Sequence, residues 1–138
     1  MRGTDFIARK AKHHPIPPNV SVLINDVKEM DDKYKYDYIF FSTEDDKIRD
    51  EFTKVFIDKI KQLKPLKSIN YNYKKKDFIN KHENIQGNIE FHKIYLLNVI
   101  ILSKCLDLIA ARCSASIGVF VLTNGFRNKK VYNFGLYL

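Results

Sequence analysis

Apolar residues recur along the chain in two rhythms. Between Val20 and Met30 they fall at Val20, Leu23, Ile24, Val27 and Met30, the three-and-four spacing of a helix with one buried face. Asn19 stands where an N-cap belongs, so the spacing predicts a helix running to about Lys33. A second stripe, Ile48, Phe52, Val55, Phe56 and Ile60, follows Glu44, Asp45 and Asp46, acids suited to the positive end of a helix. A third helix is expected from Ile89 to Cys105, capped by Asn88 and apolar nearly all round, which places it centrally. A fourth runs from about Ser116 to Thr123 and stops at Asn124-Gly125.

The other rhythm is the short unbroken apolar run of a strand buried on both faces. Tyr38-Ile39-Phe40-Phe41-Ser42 and Asp107-Leu108-Ile109-Ala110-Ala111 have this form. Further strands are expected within Leu66 to Tyr73 and at Val131-Tyr132-Asn133-Phe134. Residues 1–18, broken by Pro15, Pro17 and Pro18, read as a loop, as do the polar residues 74–88. Strands alternating with helices predict an α/β fold, a parallel sheet with flanking helices, in one domain spanning 1–138. In such folds the first functional loop follows a strand. Nothing apolar stands ahead of Arg2-Gly3-Thr4-Asp5, so the expectation is that a first strand precedes Met1.

Composition adds limits. The 138 residues suffice for one buried core, and 45% are hydrophobic, ordinary for a globular protein. Cys105 and Cys113, eight apart in apolar surroundings, fit free buried thiols better than a disulfide or zinc framework. No apolar run stands behind Met1-Arg2-Gly3-Thr4-Asp5, so a secretory leader is not expected. The longest apolar stretch, Ile94 to Leu102, falls far short of the roughly 20 residues of a membrane helix. A soluble, cytoplasmic protein with no membrane span is expected, at most peripheral to a membrane. The net charge is +8, and Lys59 to Lys93 holds nine lysines against three acids, a local +6. An AT-rich coding sequence accounts for that Lys, Asn, Ile and Tyr bias more readily than a surface selected for polyanions.

Ligands of open parallel sheets bind at the carboxyl ends of the strands. Three polar clusters are predicted there: Arg2-Gly3-Thr4-Asp5, Thr43-Glu44-Asp45-Asp46 and Arg112-Cys113-Ser114-Ala115-Ser116. In the third, a Ser- and Ala-rich turn entering a helix offers backbone N–H groups and hydroxyls to a phosphate, and Arg112 adds a cation. The plainer alternatives are tight strand–helix packing with Ser116 as a cap, and, for Thr43-Glu44-Asp45, a cap followed by dipole-favoured acids. Three acids in one helical turn do not make the spaced carboxylate pair of a glycoside hydrolase. His13 and His14 are adjacent and point apart, and no phosphate-binding or nucleophile-elbow motif is present.

In order, these segments resemble the donor-binding half of GDP-fucose-dependent fucosyltransferases of the core α-1,6 and nodulation type and related bacterial α-1,2- or O-fucosyltransferase-like proteins. Arg2-Gly3-Thr4-Asp5 resembles the end of a His-x-Arg-Arg-Thr-Asp motif, and Tyr38 to Asp45 a hydrophobic strand ending in Thr-Asp-Asp. Leu97 to Cys105 is similar to a Leu-Asp-Ile-x-x-Leu-Ser helix, and Cys113 to Ser116 to a Ser-Ser or Ser-Asn turn. The resemblance implies the C-terminal, Rossmann-like domain of a GT-B glycosyltransferase. It implies GDP-fucose as donor, a glycan as acceptor, inverting transfer, and neither cofactor nor metal ion. Arg2 would be the catalytic residue, neutralising the departing diphosphate, with Asp5 bracing it. Ser114 and Ser116 would hold phosphates beside Arg112, while Thr43, Glu44 and Asp45 line the nucleotide cleft. The chain departs from the pattern where the guanine-reading aspartate is Asn98, the second arginine is Gly3, and the motif histidine would precede Met1. The acceptor domain is then a missing N-terminal partner, the chain half of a divided enzyme or a remnant that binds without turnover. Nucleic acid is the less favoured partner, bound by Lys59 to Lys93 with Tyr71 and Tyr73 stacking on bases.

Overall fold

The computed structural model describes residues 9–63 and 89–138. Helix α1 (Val20–Tyr34) starts where the pattern places it, with the N–H of Ser21 donating to Asn19 Oδ1 at 3.0 Å. It ends at Lys35, whose φ of 52° is left-handed. Strand β1 (Ile39–Phe40), helix α2 (Asp46–Val55) and strand β2 (Ile60–Lys61) follow. Helix α3 (Ile89–Leu102), strand β3 (Asp107–Ala111), helix α4 (Ser114–Leu122) and strand β4 (Asn128–Tyr132) complete the order. The fold is mixed α/β. Its four described strands make two parallel two-stranded sheets, β1–β2 and β3–β4, in place of one continuous sheet.

Successive residues of β3 serve two cores, as a pleated strand buried on both faces must. Ile109 packs with Leu23, Phe41, Ile48, Phe52, Phe56 and Tyr132, where the rings of Phe41 and Phe52 stack at 4.2 Å. Leu108 packs on the other face with Val99 of α3 and Val119 of α4. Those two helices approach closely because Gly118 has no side chain; a Cβ there would lie 3.3 Å from Val99.

Three expectations change. Helix α2 ends at Val55, and Ile60 belongs to β2. Phe56 is the helix's C-cap and turns back into the core, leaving Val55 and Ile57 exposed. Helix α3 is not central: Leu96 and Leu97 are 56% and 47% exposed, because among the described residues β3 and α4 cover one face only. Strand β4 begins at Asn128, three residues before the apolar run that announced it, because Asp107 anchors its first residue. The strand expected within Leu66 to Tyr73 and the cap Asn88 lie outside the described residues. No described helix is long and apolar enough to cross a membrane.

The two sheets are tied at the amino ends of their strands. Asp107, nearly buried, accepts hydrogen bonds from Arg127 Nε (3.1 Å) and from the backbone N–H and side-chain amide of Asn128 (both 2.9 Å). A second Arg127 nitrogen and the Tyr36 hydroxyl also donate to it. Tyr36 lies just ahead of β1, so this bond spans from one sheet to the other. The Arg127 guanidinium, helped by Tyr36 and Asn128 against the cost of burial, holds the Asp107 carboxyl well below the usual carboxylate range. Burial and the Asp107 charge push the Tyr36 phenol up to about 12.

Removing this shared acceptor strands five donor groups on three residues. Asp107→Ala is therefore expected to lower unfolding free energy by about 2–4 kcal/mol in urea titrations. The depressed Asp107 carboxyl contributes stability above about pH 4 and loses it as pH falls further. The raised Tyr36 phenol contributes below its ordinary value of about 10 and loses that contribution as pH climbs towards 12. Unfolding measured across both ranges should show Tyr36→Phe with a reduced alkaline loss and Asp107→Asn with a reduced acid loss.

Candidate functional site

The carboxyl ends of β1 and β3 open on one cavity of about 570 Å³ between the two sheets. That volume is within the roughly 300–1,000 Å³ of small-molecule sites. Its apolar walls are Ile39, Phe40 and Phe41 of β1, Leu108, Ile109 and Ala110 of β3, Leu23 and Val27 of α1, and Ile94 and Leu102 of α3, with Tyr36, Lys104 and Asp107 at the amino ends of the strands. The edge at their carboxyl ends, here called the mouth, is polar. Ser42, Thr43 and Glu44 leave β1 there, and Arg112, Cys113 and Ser114 leave β3 and start α4. Tyr36, just ahead of β1, bonds Asp107 at the head of β3, while the segments that follow both strands line one cavity, so the two strands run the same way. A helix entered directly from a strand end presents its N–H groups at that edge.

Of the residues singled out from the sequence, Thr43, Glu44, Asn98, Arg112, Ser114 and Ser116 all line this cavity. Arg2 and Asp5 lie outside the described residues, as do Tyr71, Tyr73 and most of the lysine-rich segment. The Thr43 hydroxyl accepts the N–H of Asp45 at 3.2 Å, and its carbonyl accepts from Arg49 at 3.4 Å, which shapes the turn into α2. One carboxylate oxygen of Glu44 is shielded from solvent. Asn98 donates its side-chain amide to Ile94 O at 2.8 Å. That bond spends one of the amide's two donors on the helix itself and leaves the other donor and the carbonyl oxygen.

Two residues have other roles. Asp45, 2% exposed, does not line the cavity; its carboxylate caps α2 by accepting the N–H groups of Lys47 (3.0 Å) and Ile48 (3.3 Å). Ser116 lines the wall, but its hydroxyl donates to Cys113 O at 2.8 Å and accepts Cys113 N–H at 3.0 Å. A hydroxyl has one proton to give, so Ser116 cannot also donate to a phosphate. The cap reading of both residues wins.

Ser114 and Arg112 are placed differently. Ser114 is exposed at the first position of α4, and its hydroxyl makes no hydrogen bond among the described residues. Arg112 is exposed and holds Asn133 Oδ1 by one long contact of 3.4 Å. Asn133 follows β4 and has no sequence signal that marks it as a partner. Cys105 and Cys113 are free and half-buried, and burial pushes the Cys105 thiol up.

Asp45→Ala is expected to lower stability by about 1 kcal/mol through loss of the cap, while Asp45→Asn keeps most of it. Ser116→Ala should cost about 1 kcal/mol, since Cys113 loses a hydrogen-bond partner at each backbone group. Thermal and urea unfolding of the three variants check both values. No family model, curated protein or solved structure matches the chain, so what the cavity does is inferred from its geometry and its residues.

Proposed function

We propose that the chain is the donor-binding domain of a nucleotide-sugar glycosyltransferase, fucosyltransferase-like in kind, with GDP-fucose as its donor. The observation that carries this is the common mouth: the segments leaving β1 and β3 and the N-terminus of α4 line one cavity. The first N–H groups of a helix have no carbonyl partner within it and carry partial positive charge. Those of α4, with the Ser114 hydroxyl, are the donors for the diphosphate oxygens. Arg112 needs only to release its contact with Asn133 to add a guanidinium.

Transfer of the sugar leaves GDP with more negative charge than it had in the donor. Donors fixed beforehand at the diphosphate bind that developing charge more strongly than the ground state, which is the part of binding that accelerates a reaction. Arg112 and Ser114 supply it in the described residues, and the resemblance adds Arg2 as the catalytic cation with Asp5 behind it. Thr43, Glu44 and Asn98 line the same cavity, and on this reading they take the nucleoside. The choice of fucose and of a glycan acceptor rests on the four motifs in order. The Rossmann-like, GT-B character of the domain rests on the parallel pairings and on helices packed against both faces of β3.

Titration calorimetry with GDP and GDP-fucose tests the proposal. Both should bind the folded chain, and Arg112→Ala should weaken each about tenfold, a loss of about 1.4 kcal/mol. Ser114→Ala should weaken them by a smaller factor, and Lys54→Ala, on the exposed side of α2, should leave affinity unchanged. A folded chain that releases no heat with either nucleotide and shows no competition between them overturns it.

A further inference from the structure

The segment that follows β4 turns back onto the segment that leads into α1. Gly135 makes the turn, with a left-handed φ of 86° that suits a residue without a side chain. Ile16 N–H then donates to Gly135 O (3.1 Å) and Tyr137 N–H to His14 O (3.0 Å), which pairs Pro15 with Leu136 in an antiparallel bridge. His13 N–H adds a bond to Tyr137 O at 2.9 Å. Between residues 13 and 18 the prolines have no N–H, so only His13, His14 and Ile16 can donate. Two of those three donors go to this ladder, and the third closes a local turn on Ala11 O. The ladder is thus what holds the two segments together beyond the end of β4.

What the ladder displays to solvent is apolar and cationic at once. Phe134 and Leu136 are 54% and 40% exposed, and Leu138 is fully exposed. Single exposed apolar side chains are ordinary on any protein, but three within five residues form a patch. Lys10 and Lys12 stand exposed just ahead of His13, and neither is in an ion pair among the described residues. By contrast, Lys59 and Lys130 are bonded to Asp31 and Asp26. Arg112 lies nearby, in contact with Asn133 beside Phe134. No Asp or Glu occurs from Arg9 to Asn25 or from Leu108 to Leu138, so neither segment can neutralise these cations from within. The acids at the mouth are on the β1 side, where Asp45 caps α2 and Asp46 binds Arg49.

We propose that Phe134, Leu136 and Leu138, with Lys10 and Lys12, form a docking surface for an anionic phospholipid membrane. Such an interface offers an apolar layer directly beneath a layer of phosphates, the pairing that this patch lacks within the chain. Nucleic acid supplies the phosphates but no apolar layer in which Leu136 and Leu138 could be buried. The contact is peripheral and needs no spanning helix. Pro15 both pairs with Leu136 and lines the cavity, so docking brings that wall of the cavity to the lipid headgroups.

The test is flotation of the intact 138-residue chain with phosphatidylcholine vesicles that contain about 30% phosphatidylglycerol. The chain should float with them, and its partitioning should fall at least about fivefold on pure phosphatidylcholine or in about 0.5 M salt. Phe134→Ser combined with Leu136→Ser should lower partitioning about tenfold, and Lys10→Gln combined with Lys12→Gln by a similar factor. Urea unfolding of each variant separates docking from folding, and Leu138→Ser, at a fully exposed position, should weaken docking without touching stability. Lys33→Gln combined with Lys129→Gln removes two exposed cations elsewhere and should change partitioning less than about twofold. No flotation with anionic vesicles overturns the proposal, as does equal flotation with neutral ones or an equal loss in the Lys33 and Lys129 variant. Binding indifferent to Leu136→Ser and Leu138→Ser, and matched by a single-stranded oligonucleotide, gives the surface to nucleic acid and overturns the choice of partner. No arm contains GDP, so membrane and nucleotide fail or succeed separately.

Discussion

Two carboxylates on α1 hold the rest in place. Leu23, Val27 and Met30 form the stripe that faces the cavity, and at 100° per residue Asp26 and Asp31 lie about 70° to either side of it. Asp31 binds Lys59 Nζ at 2.7 and 2.8 Å, beside β2. Asp26 binds Lys130 Nζ at 2.7 Å and accepts from the Tyr132 hydroxyl, both on β4. One helix thus fastens the outer strand of each sheet, and the space between β1 and β3 is set by the width of α1. Both acids are mostly buried, so these are contacts with partial shelter from solvent screening. The burial and the Asp26 charge also push the Tyr132 phenol upward, which keeps it a donor at any ordinary pH.

The strands divide labour between their two ends. At the amino ends a polar network closes on itself: Asp107 gathers Tyr36, Arg127 and Asn128, and Tyr34 donates to Asn128 Oδ1 at 3.0 Å. The Arg127 guanidinium also lies 4.5 Å from the Tyr34 ring centre. Charges locked in this way fix geometry and have little left for a ligand. At the carboxyl ends the Ser114 hydroxyl and the Arg112 guanidinium stay exposed, and the first turn of a helix adds its own donors. The stability of the amino end is what permits an unsaturated carboxyl end on the same strands.

Much of this was legible in the sequence, and the exceptions have physical causes. Helix α1 and strand β3 were placed closely because each has a single rhythm with a clear stop. Helix α3 was misplaced because its composition reports how apolar it is, not how many neighbours it has. Strand β4 begins with Asn128, Lys129 and Lys130, residues whose strand state depends on a side chain twenty-one positions earlier. Two of the polar clusters after apolar runs, at Thr43-Glu44 and Arg112 to Ser116, do border the cavity, whereas the walls that α1 and α3 contribute carry no such signal. The choice between cap and ligand at Asp45 and Ser116 was not legible, because both roles use the same residue types at the same helix position. The Asp107 cluster left one faint signal, an acid at the head of an otherwise apolar run.

The two sheets are therefore joined in two places. The network around Asp107 ties them at their amino ends, and the two carboxylates of α1 tie their outer strands. Among the described residues no backbone hydrogen bond joins β1 directly to β3. The spacing of their carboxyl ends, and with it the distance from Thr43 to Ser114, depends on those two attachments. Removing either would change the shape of the cavity edge without touching a residue that lines that edge.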